Sequence, residues 1–167
     1  GVTEAEIARE VEIFWKREGG EKPAFDLNIS FGSHSSMPHH KPGSRQLRKG
    51  DIVLMDIGVT LDKYNSDLTR VVFFGEPDPV LEAIYSVVKK AQEAALLRCV
   101  SGVTAGELDA AARDVIENCG YGAYFTHSLG HGIGLEVHEY PYLKNKAPHS
   151  DVVISPGMAF TIEPGIY

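Results

Sequence analysis

The chain has 167 residues, 43% of them hydrophobic and 23% charged, with a net charge of −7. That is enough chain for one domain with a sizeable core, in a composition ordinary for a soluble globular protein. No basic run interleaves with aromatics, which excludes nucleic acid as a partner class, and no apolar stretch approaches the roughly 20 residues that span a bilayer.

The start, Gly1-Val2-Thr3-Glu4, does not read as a signal peptide. Thr3 and Glu6 form a capping-box pattern that opens a helix over 3–16, with Ile7, Val11, Phe14 and Trp15 on one face, stopped at Gly19-Gly20. Residues 25–31 alternate as a strand: Phe25, Leu27, Ile29 and Phe31 on one side, Asp26, Asn28 and Ser30 on the other. The stretch 32–50, rich in glycine and proline, reads as loop. A β-hairpin follows over 52–74. Pro77 and Pro79 precede a helix from Val80 to Cys99 whose buried stripe is Ile84, Val87, Val88, Ala91 and Ala95. A second capping box, Thr104 and Glu107, starts another helix that Gly120 ends. Residues 121–163 return to strand and loop, and Met158, Phe160 and Ile162 alternate with Ala159, Thr161 and Glu163. Helices grouped and strands grouped argue an α+β fold, with 1–167 as one domain. Two cysteines, Cys99 and Cys119, make no disulfide framework and fit a reducing, cytoplasmic setting.

Chemistry concentrates in a few places. Asp56 and Asp67 both lie in the apolar hairpin. If the chain turns at Leu61-Asp62, Asp56 stands opposite Asp67, and two like charges directly opposite destabilise a ladder. A divalent cation between them reverses the sign of that interaction. The run His127-Ser128-Leu129-Gly130-His131-Gly132-Ile133-Gly134 is followed by His138-Glu139. Its glycines make a zinc-binding helix improbable and its spacing is not the dinucleotide fingerprint. Glycine at alternate positions instead lets a backbone approach another group closely, with His131 exposed to a site. Glu163 closes an apolar strand ahead of Pro164-Gly165, and Pro38 restrains the loop that carries His39. Ser33-His34-Ser35 lacks the Gly-x-Ser-x-Gly elbow of serine hydrolases. Aspartates, a glutamate and an imidazole suit Mn, Co, Fe or Zn, and such sites often hold two ions about 3.5–4 Å apart.

The chain resembles the catalytic domain of the pita-bread metallopeptidases, the family of methionine aminopeptidases, prolidases and Xaa-Pro aminopeptidases. The segments that carry the likeness, in the family's order, are Pro38-His39, Asp56-Ile57-Gly58, Ser66-Asp67-Leu68-Thr69-Arg70, Gly130-His131-Gly132-Ile133-Gly134, His138-Glu139 and Glu163-Pro164-Gly165. The flanking residues, Ser36-Met37-Pro38-His39, Tyr64-Asn65 before Ser66, and Pro156-Gly157-Met158, are most similar to the Xaa-Pro branch. The resemblance implies a curved antiparallel sheet covered by helices. It implies metal ligands Asp56, Asp67, His131 and Glu163, Glu163 also taking a proton from water. His39 and His138 would hold the substrate's peptide group or the oxyanion, and His127 would stand behind them. The implied reaction is hydrolysis of the bond between an N-terminal residue and a following proline in short peptides; methionine aminopeptidase and a catalytically silent peptide-binding domain are the alternatives. The family pattern also has a last bridging glutamate on a further strand and, in the Xaa-Pro branch, an amino-terminal domain. The expectation is therefore a fragment with an incomplete second metal site, binding metal weakly and hydrolysing poorly, cut from a parent for which a homodimer is one possible assembly.

Overall fold

The first helix begins where its cap dictates. In the computed structural model, which describes all of residues 1–167, Thr3 is the N-cap of α1 (Glu4–Arg17): its hydroxyl accepts from the Glu6 N–H while the Glu6 carboxylate accepts from the Thr3 N–H. The chain divides into two units, residues 1–81 with 134–137, and residues 82–133 with 138–167. No helix is long and apolar enough to cross a membrane.

In the first unit, β1 (Lys22–Pro23), β2 (Asn28–Phe31), β3 (Ile52–Ile57), β4 (Val59–Leu61), β5 (Tyr64–Asn65) and β6 (Leu68–Phe73) form two antiparallel sheets, ordered β2-β3-β6 and β1-β4-β5. Ile29, Phe31 and Val53 are buried with Met55 and Ile57 against Ile7 and Ala8 of α1. The opposite face carries Asn28, Asp56 and Thr69 in one cross-strand row. Two expectations need correction. Phe14 is exposed, because the face of α1 that meets β2 runs through Ile7 and Ala8. The strand expected over 25–31 is only the four residues of β2, and Asn28 and Ser30 are buried as deeply as their apolar neighbours, since both faces of that strand are covered.

The hairpin is present but its register differs from that expected. Leu61 pairs with Tyr64, and the turn residues Asp62 (φ 49°) and Lys63 (φ 67°) are both left-handed, as a two-residue type I′ turn requires. The turn is thus centred one residue later, and Asp56 pairs with Thr69 rather than Asp67. A one-residue move of the turn shifts the pairing by two, so Asp56 and Asp67 keep the same face. They are diagonal neighbours, a relation that normally separates backbone positions by about 7–8 Å. The arms pinch at Gly58, where an added Cβ would stand 2.3 Å from the Ser66 carbonyl oxygen.

In the second unit, α2 (Pro79–Arg98) enters from residue 82 onward and α3 (Ala105–Asn118) is capped by Thr104 and Glu107 as expected. Gly120 (φ 83°) follows the end of α3. Ala91 and Ala95 of the α2 stripe join Leu108, Ala112, Ile116, Phe125, Leu129, Leu143 and Ile154 in one core. Strands β7 (Gly130–Gly132) and β8 (Glu139–Leu143) pair antiparallel. The segment 159–163 runs along the other side of β7 through Ile133 N–H to Ala159 O, Thr161 N–H to His131 O and Glu163 N–H to Leu129 O. Met158, Phe160 and Ile162 pack on the core, as their alternation indicated.

Candidate active site

The second unit brings His131 and Glu163 together by pairing their backbones. The antiparallel run of 129–133 against 159–163 puts Thr161 beside His131, and Glu163 two residues on. This close approach is why glycines flank His131: a Cβ on Gly130 would stand 2.1 Å from the Thr161 carbonyl oxygen, and one on Gly132 would stand 2.3 Å from that of Tyr140. Thr161 ties the pair, its hydroxyl accepting from the His131 N–H (3.0 Å) and lying 2.6 Å from Glu163 Oε1, to which it donates.

His131 Nδ1 lies 3.0 Å from the Gly132 carbonyl oxygen. A carbonyl only accepts, so Nδ1 carries the hydrogen, and in a neutral ring Nε2 is left with a lone pair. Nε2 stands 3.1 Å from Glu163 Oε1. A lone pair and a carboxylate oxygen facing each other require a positive centre, either a proton on Nε2 or a metal ion. Burial pushes the Glu163 carboxyl up, but hydrogen bonds from His131 and Thr161 and the proximity of His131 and His127 outweigh it, holding the group below the ordinary carboxylate range. His131 is 8% exposed. The His138 ring lies 4.3 Å from the His131 ring, centroid to centroid, and is itself open to solvent. His127 packs edge-on to Phe125 and Tyr167; its Nδ1 donates to the Ser128 carbonyl, and its buried Nε2 has no hydrogen-bond partner.

Two residues that the sequence reading passed over hold this segment in place. Asp109 on α3 is fully buried and accepts from the Leu129 N–H (3.0 Å) and twice from Arg113 (2.8 and 3.0 Å). Arg113 donates onward to the carbonyls of Phe125 and His127, both at 3.0 Å, with its guanidinium 4.1 Å from the centre of the Phe125 ring. Residues 125–129, which lead into β7, are thereby pinned to α3. In sequence the two are an ordinary i, i+4 ion pair of the kind found on exposed helix faces. On the other side, Gln92 of α2 donates to the Ile162 carbonyl.

In the first unit, the hairpin register puts Asp56 on β3 and Asp67, one residue ahead of β6, on the same side, and both are half-buried. Thr69 donates to Asp56 Oδ1 (3.1 Å). Beside Asp56 in the same row, Asn28 donates from Nδ2 to the Pro38 carbonyl (3.0 Å), which ties the loop carrying His39 to this face. His39 itself is exposed. In the second unit, then, His131, His138 and Glu163 cluster, and a donor set of carboxylate oxygens with an imidazole nitrogen fits a borderline-hard divalent cation.

Comparison with known proteins agrees with this chemistry. Residues 1–167 match the profile of metallopeptidase family M24, and the chain belongs to that family. Its fold is the pita-bread fold of the prolidase structures it matches. The chain is 44% identical over 167 residues to an Xaa-Pro dipeptidase of Pyrococcus furiosus, covering all of this chain and 47% of that protein. Among solved structures, the prolidase from Pyrococcus horikoshii OT3 matches with 45% identity and a TM-score of 0.96, over 100% of this chain and 47% of the other. An X-Pro aminopeptidase from Thermotoga maritima MSB8 matches with 44% identity and a TM-score of 0.94, again over 100% and 47%. The chain spans about half the length of the curated relatives it matches.

Proposed function

We propose that the protein carrying this chain hydrolyses the peptide bond between an N-terminal residue and a following proline in short peptides, with residues 1–167 as part of its catalytic domain. The observation that carries the reading is the facing of His131 Nε2 and Glu163 Oε1 with Nδ1 already committed to a carbonyl. Asp56, Asp67, His131 and Glu163 are the residues that would hold one or two divalent ions, with Mn, Co, Fe and Zn as candidates for that donor set. Bound there, such an ion polarises the scissile carbonyl and lowers the pKa of water to near neutrality.

The chain's own residues do the rest. Glu163, kept ionised by His131 and Thr161, takes the proton of the attacking water and returns it to the leaving nitrogen. His39 and His138, both open to solvent, hold the substrate's peptide group and stabilise the developing oxyanion. His127 stands behind these groups, packed against Phe125 and Tyr167. A bond ahead of proline has no N–H, so peptidases that need that donor are blunted and a dedicated pocket is required. The names of the similar proteins, Xaa-Pro dipeptidase and X-Pro aminopeptidase, support the proline preference. The two cysteines are free, which supports the cytoplasmic setting included in this reading.

The test is turnover by the metal-loaded protein of matched dipeptides and tripeptides, Met-Pro and Ala-Pro against Met-Ala. Cleavage of the Xaa-Pro bonds that is lost with chelator and restored by Mn or Co is expected. Cleavage of Met-Ala alone would make the protein a methionine aminopeptidase. No metal-dependent cleavage by wild type would leave a peptide-binding module.

A further inference from the structure

Glu4 is a fully buried carboxylate apart from the Asp56, Asp67, His131 and Glu163 ligand set. Its position in the first turn of α1 is that of an ordinary exposed helix-start acid, yet both oxygens are saturated. Oε1 accepts from the Phe31 N–H (2.9 Å) and His34 Nδ1 (2.8 Å), and Oε2 accepts from His40 Nε2 (2.9 Å) and the Gly43 N–H (3.1 Å). Glu4, His34 and His40 have the residue types of a metal site. Their spacing is not that of one, because ligand atoms around a tetrahedral zinc stand about 3.3 Å apart. Separations of 2.8 and 2.9 Å are those of charge-assisted hydrogen bonds. The cluster is held by protons.

What it holds is a loop, not a core. His34, His40 and Gly43 converge from along residues 32–43 onto one carboxylate, and within that stretch the Met37 N–H bonds the His34 carbonyl and the His40 N–H bonds the Met37 carbonyl. His39 sits between two anchored neighbours: Pro38, whose carbonyl Asn28 grips beside Asp56, and His40, whose ring is fixed on Glu4. Asn28 is itself oriented by a hydrogen bond from Ser30. A buried ionic network is seldom more stabilising than apolar packing of the same volume, and what it adds is a single defined geometry. Here that geometry is delivered to an exposed histidine.

We propose that Glu4, acting through His40, is a positioning residue for His39, setting its imidazole for contact with the substrate. The proposal rests on the Xaa-Pro reading for what His39 touches, but not for the loop geometry itself. The experiment is a double-mutant cycle in the metal-loaded protein with Ala-Pro as substrate. Glu4→Gln replaces one acceptor oxygen with a donor that meets another N–H. It should lower kcat/KM at least tenfold in the wild-type background and less than twofold once His39→Ala is present, with bound metal unchanged. An equal loss in both backgrounds would show that Glu4 only supports the fold and would overturn the proposal. Should Glu4→Gln fail to fold, His40 carries the same test. His40→Gln offers an amide donor near the place of Nε2 and should keep most activity, whereas His40→Leu should lose it; equal activities would overturn the proposal. If wild type shows no turnover, the functional reading fails and the loop claim is judged by NMR alone. The His39 ring protons should shift and broaden in His40→Leu but not in His40→Gln, and identical spectra would refute the positioning role.

Discussion

Replacing Asp109 by alanine tests whether α3 holds the His131 segment. The change deletes three hydrogen bonds to one fully buried carboxylate. Arg113 keeps its bonds to the Phe125 and His127 carbonyls but loses its counter-charge, and the Leu129 N–H keeps only the Leu143 carbonyl as acceptor. Breaking a buried pair from one side costs about 3–5 kcal/mol. Because the Arg113 side chain retains 24% exposure, water rescues part of its charge and the lower end, about 3 kcal/mol, is expected. For a chain of this size, each kcal/mol moves the melting temperature by about 2–4 °C, so Asp109→Ala should melt roughly 10 °C below wild type by calorimetry. Asp109→Asn keeps an acceptor for Leu129 and should lose about half as much. Metal affinity should fall with the alanine variant, since residues 125–129 lead directly into the strand that bears His131. A fall of under about 3 °C with unchanged metal affinity would refute the pinning role.

Three further outcomes are expected. Gly130→Ala puts a methyl group 2.1 Å from the Thr161 carbonyl oxygen; overpacking of this kind costs about 1–3 kcal/mol or more, so the variant should melt lower and bind metal more weakly, and a stability equal to wild type would contradict the close pairing of the two segments. Burial pushes the Glu4 carboxyl up, but hydrogen bonds from His40, the Phe31 and Gly43 amides and His34 outweigh it and leave its folded pKa below the ordinary value. Its contribution is therefore present above the unfolded pKa and lost as pH falls through the folded one. The melting-temperature gap between wild type and Glu4→Gln should be full at pH 7 and close in strong acid, and a gap independent of pH would refute the assignment. Adding Mn at about 100 times its Kd should raise stability by about 2.7 kcal/mol, an effect that His131→Ala abolishes; an equal rise in that variant would place the ion elsewhere.

Local chemistry was legible where the signal is local. Both capping boxes, the close backbone approach at Gly130 and Gly132 and the alternation over 158–163 express constraints within a few residues, and the structure bears them out. The hairpin register was not legible, because its turn uses two left-handed non-glycine residues, Asp62 and Lys63, and nothing in the sequence marks them as the central pair. The face shared by Asp56 and Asp67 survived that error only because the shift was even. Glu4, Asp109 and Arg113 were missed for one reason: each looks like a surface helix charge. Their burial comes from partners distant in sequence, Phe31 and Gly43 for Glu4 and residues 125–129 for the pair on α3.

The most direct measurement is an anomalous difference map from crystals of the protein grown with manganese. Peaks bonded to His131 Nε2 and a Glu163 oxygen are the expected result. Peaks absent there while the same protein cleaves Xaa-Pro peptides, or a His131 Nε2 proton still donated to Glu163 under saturating manganese, would contradict it.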